Sequence, residues 1–173
     1  MLITLTNGRD VHLTSKQLAT FKRRAGLTDA IMATPGPADG GPPPPPRGDC
    51  HPWGGRLDRD GYPQFKVKRD RIETILTAHR LAYVIHRGRP VPAGLQLDHL
   101  CRNRSCVNPL HLQATTGRTN TLRGRTVAAM NAAKTHCVNG HELSGNNLAR
   151  GQPGRACRPC RGDRDRKRRA RTP

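Results

Sequence analysis

Acidic and aromatic side chains are what this chain has least of. Of 173 residues only 12 are Asp or Glu, against 31 Lys or Arg, for a formal charge of +19. Such an excess is costly in self-repulsion unless a polyanion shares the space. Most of the cations are Arg, whose planar fork suits phosphate. Nucleic acid is therefore the expected partner. The five aromatic residues (Phe21, Trp53, Tyr62, Phe65, Tyr83) and a hydrophobic content of 34% allow only a small core, of the kind that usually needs staples. So few aromatics also argue against recognition of single strands by base stacking. No long apolar or amphipathic run exists, which sets aside a membrane span or an anionic membrane surface. The opening MLITLTNGRD lacks the charged start and apolar stretch of a secretion signal, so a cytoplasmic location is expected. The six cysteines of a cytosolic chain are read as metal ligands before disulfides.

Punctuation divides the chain. ITLTNGRDVHL alternates around Asn7-Gly8 and predicts a hairpin. Thr14 then opens a helix, with Gln17 completing a capping box and Gly26 ending it. Residues 1–31 are thus expected to form an accessory arm. Residues 32–49, with five consecutive prolines, predict a semi-rigid polyproline spacer. A core domain over 50–130 follows, then a module over 131–160 and a mobile, phosphate-seeking basic tail over 161–173. Within the core, GGRLDRDGYPQFKVK predicts two strands joined by an Asp58–Gly61 turn. Gln64, Lys66 and Lys68 fall on one face of the second strand, the arrangement of a β-ribbon laid against a DNA groove. A plain solvated face would look the same. Arg56, Arg118 and Arg123 are further candidate DNA contacts. IETIL predicts another strand, and TAHRLAYVIHRG a helix burying Leu81, Val84 and Ile85. LQLDH and LQATT read as short paired strands, and residues 117–134 as one helix capped by Thr116 or Thr115. An α+β fold is expected.

Two metal cages account for every cysteine. Cys137-x3-His141 and Cys157-x2-Cys160 match a tetrahedral zinc site, and the polar chain between them could not fold without an ion. Cys101-x4-Cys106-x4-His111 supplies three ligands around a loop of little apolar content. Cys50 can be the fourth, with His51 beside it as a substitute.

His99, Asp98 and Asn120 are left over. At these residues DHLCRNRSCVNPLHL, followed by TTGRTN, resembles the ββα-metal (His-Me finger) nucleases. Within them it is most similar to the HNH endonucleases of bacteriophages and the zinc-bearing His-Cys box homing endonucleases. The resemblance covers residues 50 to about 125. It extends to AHRLAYVIHRG and to a trailing Cys/His module, and says nothing of residues 1–49. It implies that His99 is the general base and that Asn120 binds a catalytic divalent ion, Mg²⁺ or Mn²⁺. Asp98 would be a second ligand, provided the strand ends or bulges there. Arg80, Arg118 or Arg123 would take developing charge on the phosphate. In the His-Cys box pattern His111 is a zinc ligand. The alternative puts His111 on the catalytic ion and leaves Asn120 as a capping residue.

The reading expected is a small zinc-stapled ββα-metal core with a C-terminal zinc module: a metal-dependent DNA endonuclease, encoded by a phage and acting in its host. It would leave 5′-phosphate and 3′-hydroxyl ends on double-stranded DNA, and a palindromic target would call for a homodimer. The rivals are a non-cleaving zinc-stapled DNA-binding protein and an RNA-binding zinc protein.

Overall fold

Three of the five aromatic residues meet. The rings of Phe21 and Trp53 lie 5.7 Å apart, Phe21 and Phe65 5.1 Å, and Trp53 and Phe65 6.1 Å, the last two pairs edge to face. The computed structural model describes residues 2–4, 10–69, 71–149 and 155–171, with the side chains of Thr4 and Arg69 excepted. It divides into two units, Met1–Asn120 and Thr121–Pro173.

In the first unit β1 (Leu2–Thr4) pairs antiparallel with β2 (Asp10–His12); the expected Asn7-Gly8 turn lies outside the described residues. Helix α1 (Ser15–Ala25) has the full capping box of Thr14 and Gln17, and Gly26 ends it at φ 63°. A short α2 (Asp29–Ala33) follows. Ile3, Leu13, Phe21, Ala25 and Leu27 are buried in the same cluster as Trp53 and Phe65. The expected accessory arm is therefore part of the core. Thirty residues cannot bury much alone, but here they contribute one ring of the aromatic cluster.

The expected free spacer is also fastened down. An extended proline-rich chain has no internal hydrogen bonds, so its carbonyls stay open to donors from elsewhere. His86 reaches the Thr34 carbonyl at 3.0 Å, and Arg87 donates to that of Pro37. Gln113 donates to that of Ala38 at 2.5 Å, and Asn108 to that of Asp49 at 2.8 Å. Asp39 accepts from the Tyr83 hydroxyl at 2.7 Å, from Arg89 at 2.6 Å and from the Ala114 amide at 3.2 Å.

The remainder of the unit is two hairpins around a helix. β3 (Gln64–Arg69) pairs with β4 (Ile72–Thr77), placing Lys66 opposite Ile75 and Lys68 opposite Glu73 on the outer face. Phe65 and Val67 are buried on the other face. Ahead of β3, the first of the two expected strands is reduced to a single bridge, Leu57 to Pro63. The Asp58 carboxylate holds the turn, accepting from the amides of Asp60 at 2.9 Å and Tyr62 at 2.8 Å. Helix α3 (Ala78–Arg87) follows β4 directly and buries Leu81, Val84 and Ile85, with His79 and Tyr83 besides; Gly88 caps it at φ 66°. β5 (Leu95–His99) and β6 (Leu112–Thr116) pair in unbroken antiparallel register.

The expected single helix after β6 is two. α4 (Gly117–Arg123) starts under the Thr116 hydroxyl, which accepts from the Thr119 amide at 3.1 Å. Gly124 interrupts it, and Thr126 caps α5 (Val127–Ala133). In the second unit Leu143 is the only buried hydrophobic among the described residues. Its last helix, α6 (Arg158–Arg169), occupies most of the stretch expected as a mobile tail. The helix grows from the Cys157–Cys160 knuckle, which fixes its first turn. Among the described residues no helix is long and apolar enough to cross a membrane.

Candidate active site and metal centres

The loop between β5 and β6 closes on itself through sulfur. Cys50, Cys101, Cys106 and His111 offer ligand atoms that all lie within 4.8 Å of one another. His111 Nδ1 is 3.6 Å from both Cys50 Sγ and Cys106 Sγ. Its Nε2 faces the carbonyls of Arg47 at 3.0 Å and Gly48 at 3.1 Å. Carbonyls only accept, so Nε2 carries the proton and Nδ1 turns its lone pair to the thiols, the orientation a metal-bound imidazole needs. Cys50 is brought in by the pairing of Pro52 with Cys106 and by the Val107 amide, 2.8 Å from the His51 carbonyl. His51 stays outside, 3.1 Å from the Ala25 carbonyl. Hydrogen bonding from Cys106 drives the Cys101 thiol down to about 4, so the cluster favours a thiolate.

The second cluster joins Cys137, His141, Cys157 and Cys160. His141 Nδ1 lies 3.4 Å from Cys137 Sγ and 3.2 Å from Cys160 Sγ. Cys137 and Cys160 are 3.6 Å apart, and all six cysteines are free thiols; a disulfide would need about 2 Å. Each cluster has three thiols and one imidazole, the donors a tetrahedral zinc takes.

His99 ends β5 against this loop. Its Nε2 is 3.1 Å from the carbonyl oxygen of Cys106. That acceptor assigns the proton to Nε2 and leaves Nδ1 a free base. Burial holds the ring below its ordinary pKa of 6.5, and the Cys106 carbonyl offsets this only in part. A neighbour that sequence reasoning passed over completes the setting. The His79 ring packs edge-on at 4.8 Å, and Tyr62 covers both histidines, 5.4 Å from His79 and 6.2 Å from His99. Burial, then the charges of His99 and Arg80, push His79 down to about 3. Its Nδ1 is buried with no hydrogen-bond partner. His79 lies within an uninterrupted helical pattern, and nothing in the sequence signals the ring pair.

Asp98 and Asn120 sit differently. The register of β5 shows no bulge, so alternation puts Gln96 and Asp98 on one face and Leu97 and His99 on the other. Asp98 is buried and bonded at 2.8 Å to Arg102, a residue at φ 59° that no sequence pattern singles out. The Asn120 amide nitrogen donates to Gln96 Oε1 at 3.3 Å, which places it on the face of Asp98 and leaves its own oxygen to act as a ligand. Carboxylate and carboxamide oxygens suit a hard divalent ion in type, although Arg102 already holds the carboxylate. The structure thus brings Asp98 to Arg102, Asn120 to Gln96, and His99 to His79 and Tyr62.

Of the remaining candidates, Arg80 is half-buried beside His79 on α3, and Arg118 is exposed on α4. Arg56, Lys66 and Lys68 are exposed; Gln64 and Arg123 are half-buried, and Lys66 pairs with Glu73 at 2.7 Å.

The chain is 35% identical over 60 residues to the "Uncharacterized gene 5.3 protein" of Enterobacteria phage T3, covering 34% of this chain and 58% of that one. It is 35% identical over 72 residues to "Protein 7.7" of Escherichia phage T7, covering 42% and 52%. The chain thus spans just over half the length of these relatives. No solved structure matches. Residues 77–122, from the end of β4 through α3, β5, the cysteine loop and β6 into α4, match the HNH endonuclease family model.

Proposed function

We propose that the protein is a phage-encoded, metal-dependent endonuclease that hydrolyses phosphodiester bonds in double-stranded DNA within the infected host cell. The observation that carries this is the bond from His99 Nε2 to the Cys106 carbonyl. It fixes a neutral imidazole with its lone pair unspent, which is the form a general base requires.

In this reading His99 Nδ1 takes the proton from an attacking water. Zinc in the Cys50, Cys101, Cys106 and His111 cluster keeps the Cys106 carbonyl in place, and with it the ring. Asp98 and Asn120 would hold Mg²⁺ or Mn²⁺, which when bound supplies charge to neutralise the departing 3′ oxygen. Arg102 must then release Asp98, which frees a guanidinium beside the phosphate, an alternative to Arg80 for the same task. Lys66, Lys68 and Gln64 on the β3–β4 ribbon, with Arg56, Arg118 and Arg123, serve as DNA contacts.

The ion pair of Asp98 with Arg102, and the placement of Asp98 and His99 on opposite strand faces, favour one rival, a DNA-binding protein that does not cut. Zinc-loaded protein incubated with plasmid and Mg²⁺ separates the two. Nicking or linearisation with 5′-phosphate and 3′-hydroxyl ends, abolished by removing Mg²⁺, is expected. Tight binding with an intact plasmid would establish the rival.

A further inference from the structure

The second unit has almost no core, yet it builds a helix of 12 residues with none of them buried. Beyond the Cys157–Cys160 turn that starts it, packing contributes little to that helix. Seen down its axis, Arg164, Lys167, Arg168 and Arg171 share one side. With Asn139 from the zinc turn, Cys160 and one carboxylate, that of Asp163, they line an open groove of about 650 Å³. Like charges three and four residues apart repel on a helix, so this face is unfavourable without an anion. The helix's two acids do little to relieve it. Asp163 is paired with Arg166, and Asp165 lies 3.8 Å from Arg161 and 3.5 Å from Arg168. Among the described residues no acid pairs with Arg164, Lys167 or Arg171.

We propose that this groove is a second, sequence-independent seat for the phosphate backbone of duplex DNA, held in shape by the zinc knuckle at its head. The proposal rests on DNA being the substrate of the first unit. From Arg164 to Arg168 the axis rises about 6 Å at 1.5 Å per residue, and Arg171 follows just past the helix end, so the row spans about two phosphate steps of one strand or slightly more. The groove is open and has no aromatic side chain in its lining, so it fits a continuous backbone better than an unstacked base or a small anion. Arg gives it two-pronged contacts to phosphate oxygens. The Asn139 amide, 3.2 Å from Cys160 Sγ, ties the far wall to the metal cluster. Binding here would keep the substrate attached while the first unit searches for its site.

The test measures duplex binding by the full-length His99→Ala protein across a range of salt, with and without alanine at Arg164, Lys167, Arg168 and Arg171. Each lost phosphate contact lowers the slope of log affinity against log salt by about 0.9, so the fourfold variant should lose roughly 3 to 4 in slope. Alanine favours helix, so the variant should keep both zinc equivalents. An unchanged slope with zinc retained overturns the proposal, as does groove-dependent binding confined to duplex RNA. If the fourfold alanine substitution lowers the slope but the wild-type protein never cuts DNA with Mg²⁺, the nuclease reading fails while the groove stands.

Discussion

At the scale of single residues, orientation is set by carbonyl oxygens more than by charges. His111 and His99 each give one ring N–H to a main-chain carbonyl and so turn the other nitrogen towards its task. His111→Ala should therefore remove one zinc equivalent and loosen the loop that carries His99, so that zinc content and nuclease activity fall together. His79 has no such partner on Nδ1 and is held neutral down to pH about 3. Between pH 6.5 and 3 the unfolded chain binds a proton that the folded one refuses. Stability should fall as pH drops through that window, by up to about 1.4 kcal/mol per pH unit. His79→Phe keeps the packing and should flatten this slope in denaturant titrations. Acid loss of zinc affects both proteins alike, so an identical slope in the variant would remove His79 from the account. Asp39 works the other way, as an acceptor for the Tyr83 hydroxyl and the Ala114 amide. Asp39→Ala strands the buried Tyr83 hydroxyl and the Ala114 amide, and should cost about 2–3 kcal/mol.

At the scale of elements, most helices and strands were legible because local signals and burial agree. Thr14, Gln17 and Gly26 bound α1, Gly88 ends α3, and the alternation in QFKVK gives β3 its two faces. What was not legible depends on distant partners. The proline-rich stretch looks like a spacer because it bonds nothing within itself, yet side chains up to 75 residues away take its carbonyls. The arm looks independent because its stripe is weak, yet Phe21 completes a ring cluster with Trp53 and Phe65. Phe21→Ala should thus cost about 3–5 kcal/mol, as for a central aromatic, and lower the melting temperature of the whole first unit. A shift of under one degree would restore the accessory-arm reading. In the site itself, residue types and spacing revealed the two sulfur clusters. Opposite faces for Asp98 and His99 followed from strand alternation. The Arg102 pair and the His79 ring contact needed coordinates, since a left-handed backbone and an edge-on packing leave no periodic trace.

At the scale of the molecule, two units are held by different means. The first combines a hydrophobic cluster with a Cys/His cluster that could hold a metal ion, and the second has its own such cluster and a single buried hydrophobic among the described residues. Elemental analysis should give two zinc equivalents per chain. Cys157→Ser should lose one of them, unfold α6 and leave the melting of the first unit unchanged. If both equivalents were lost together, the clusters would not be separate modules. With a net charge of +19, binding to nucleic acid should weaken steeply with salt.

The central claim is that His99, oriented by the Cys106 carbonyl, takes the proton from water at a phosphodiester. The most direct test compares plasmid cleavage in Mg²⁺ by wild-type protein and by His99→Ala, both shown to hold two zinc ions and to melt alike. The expected result is a loss of about 10²–10⁴-fold in rate, the usual worth of a positioned base. Equal rates from the two proteins would contradict the claim.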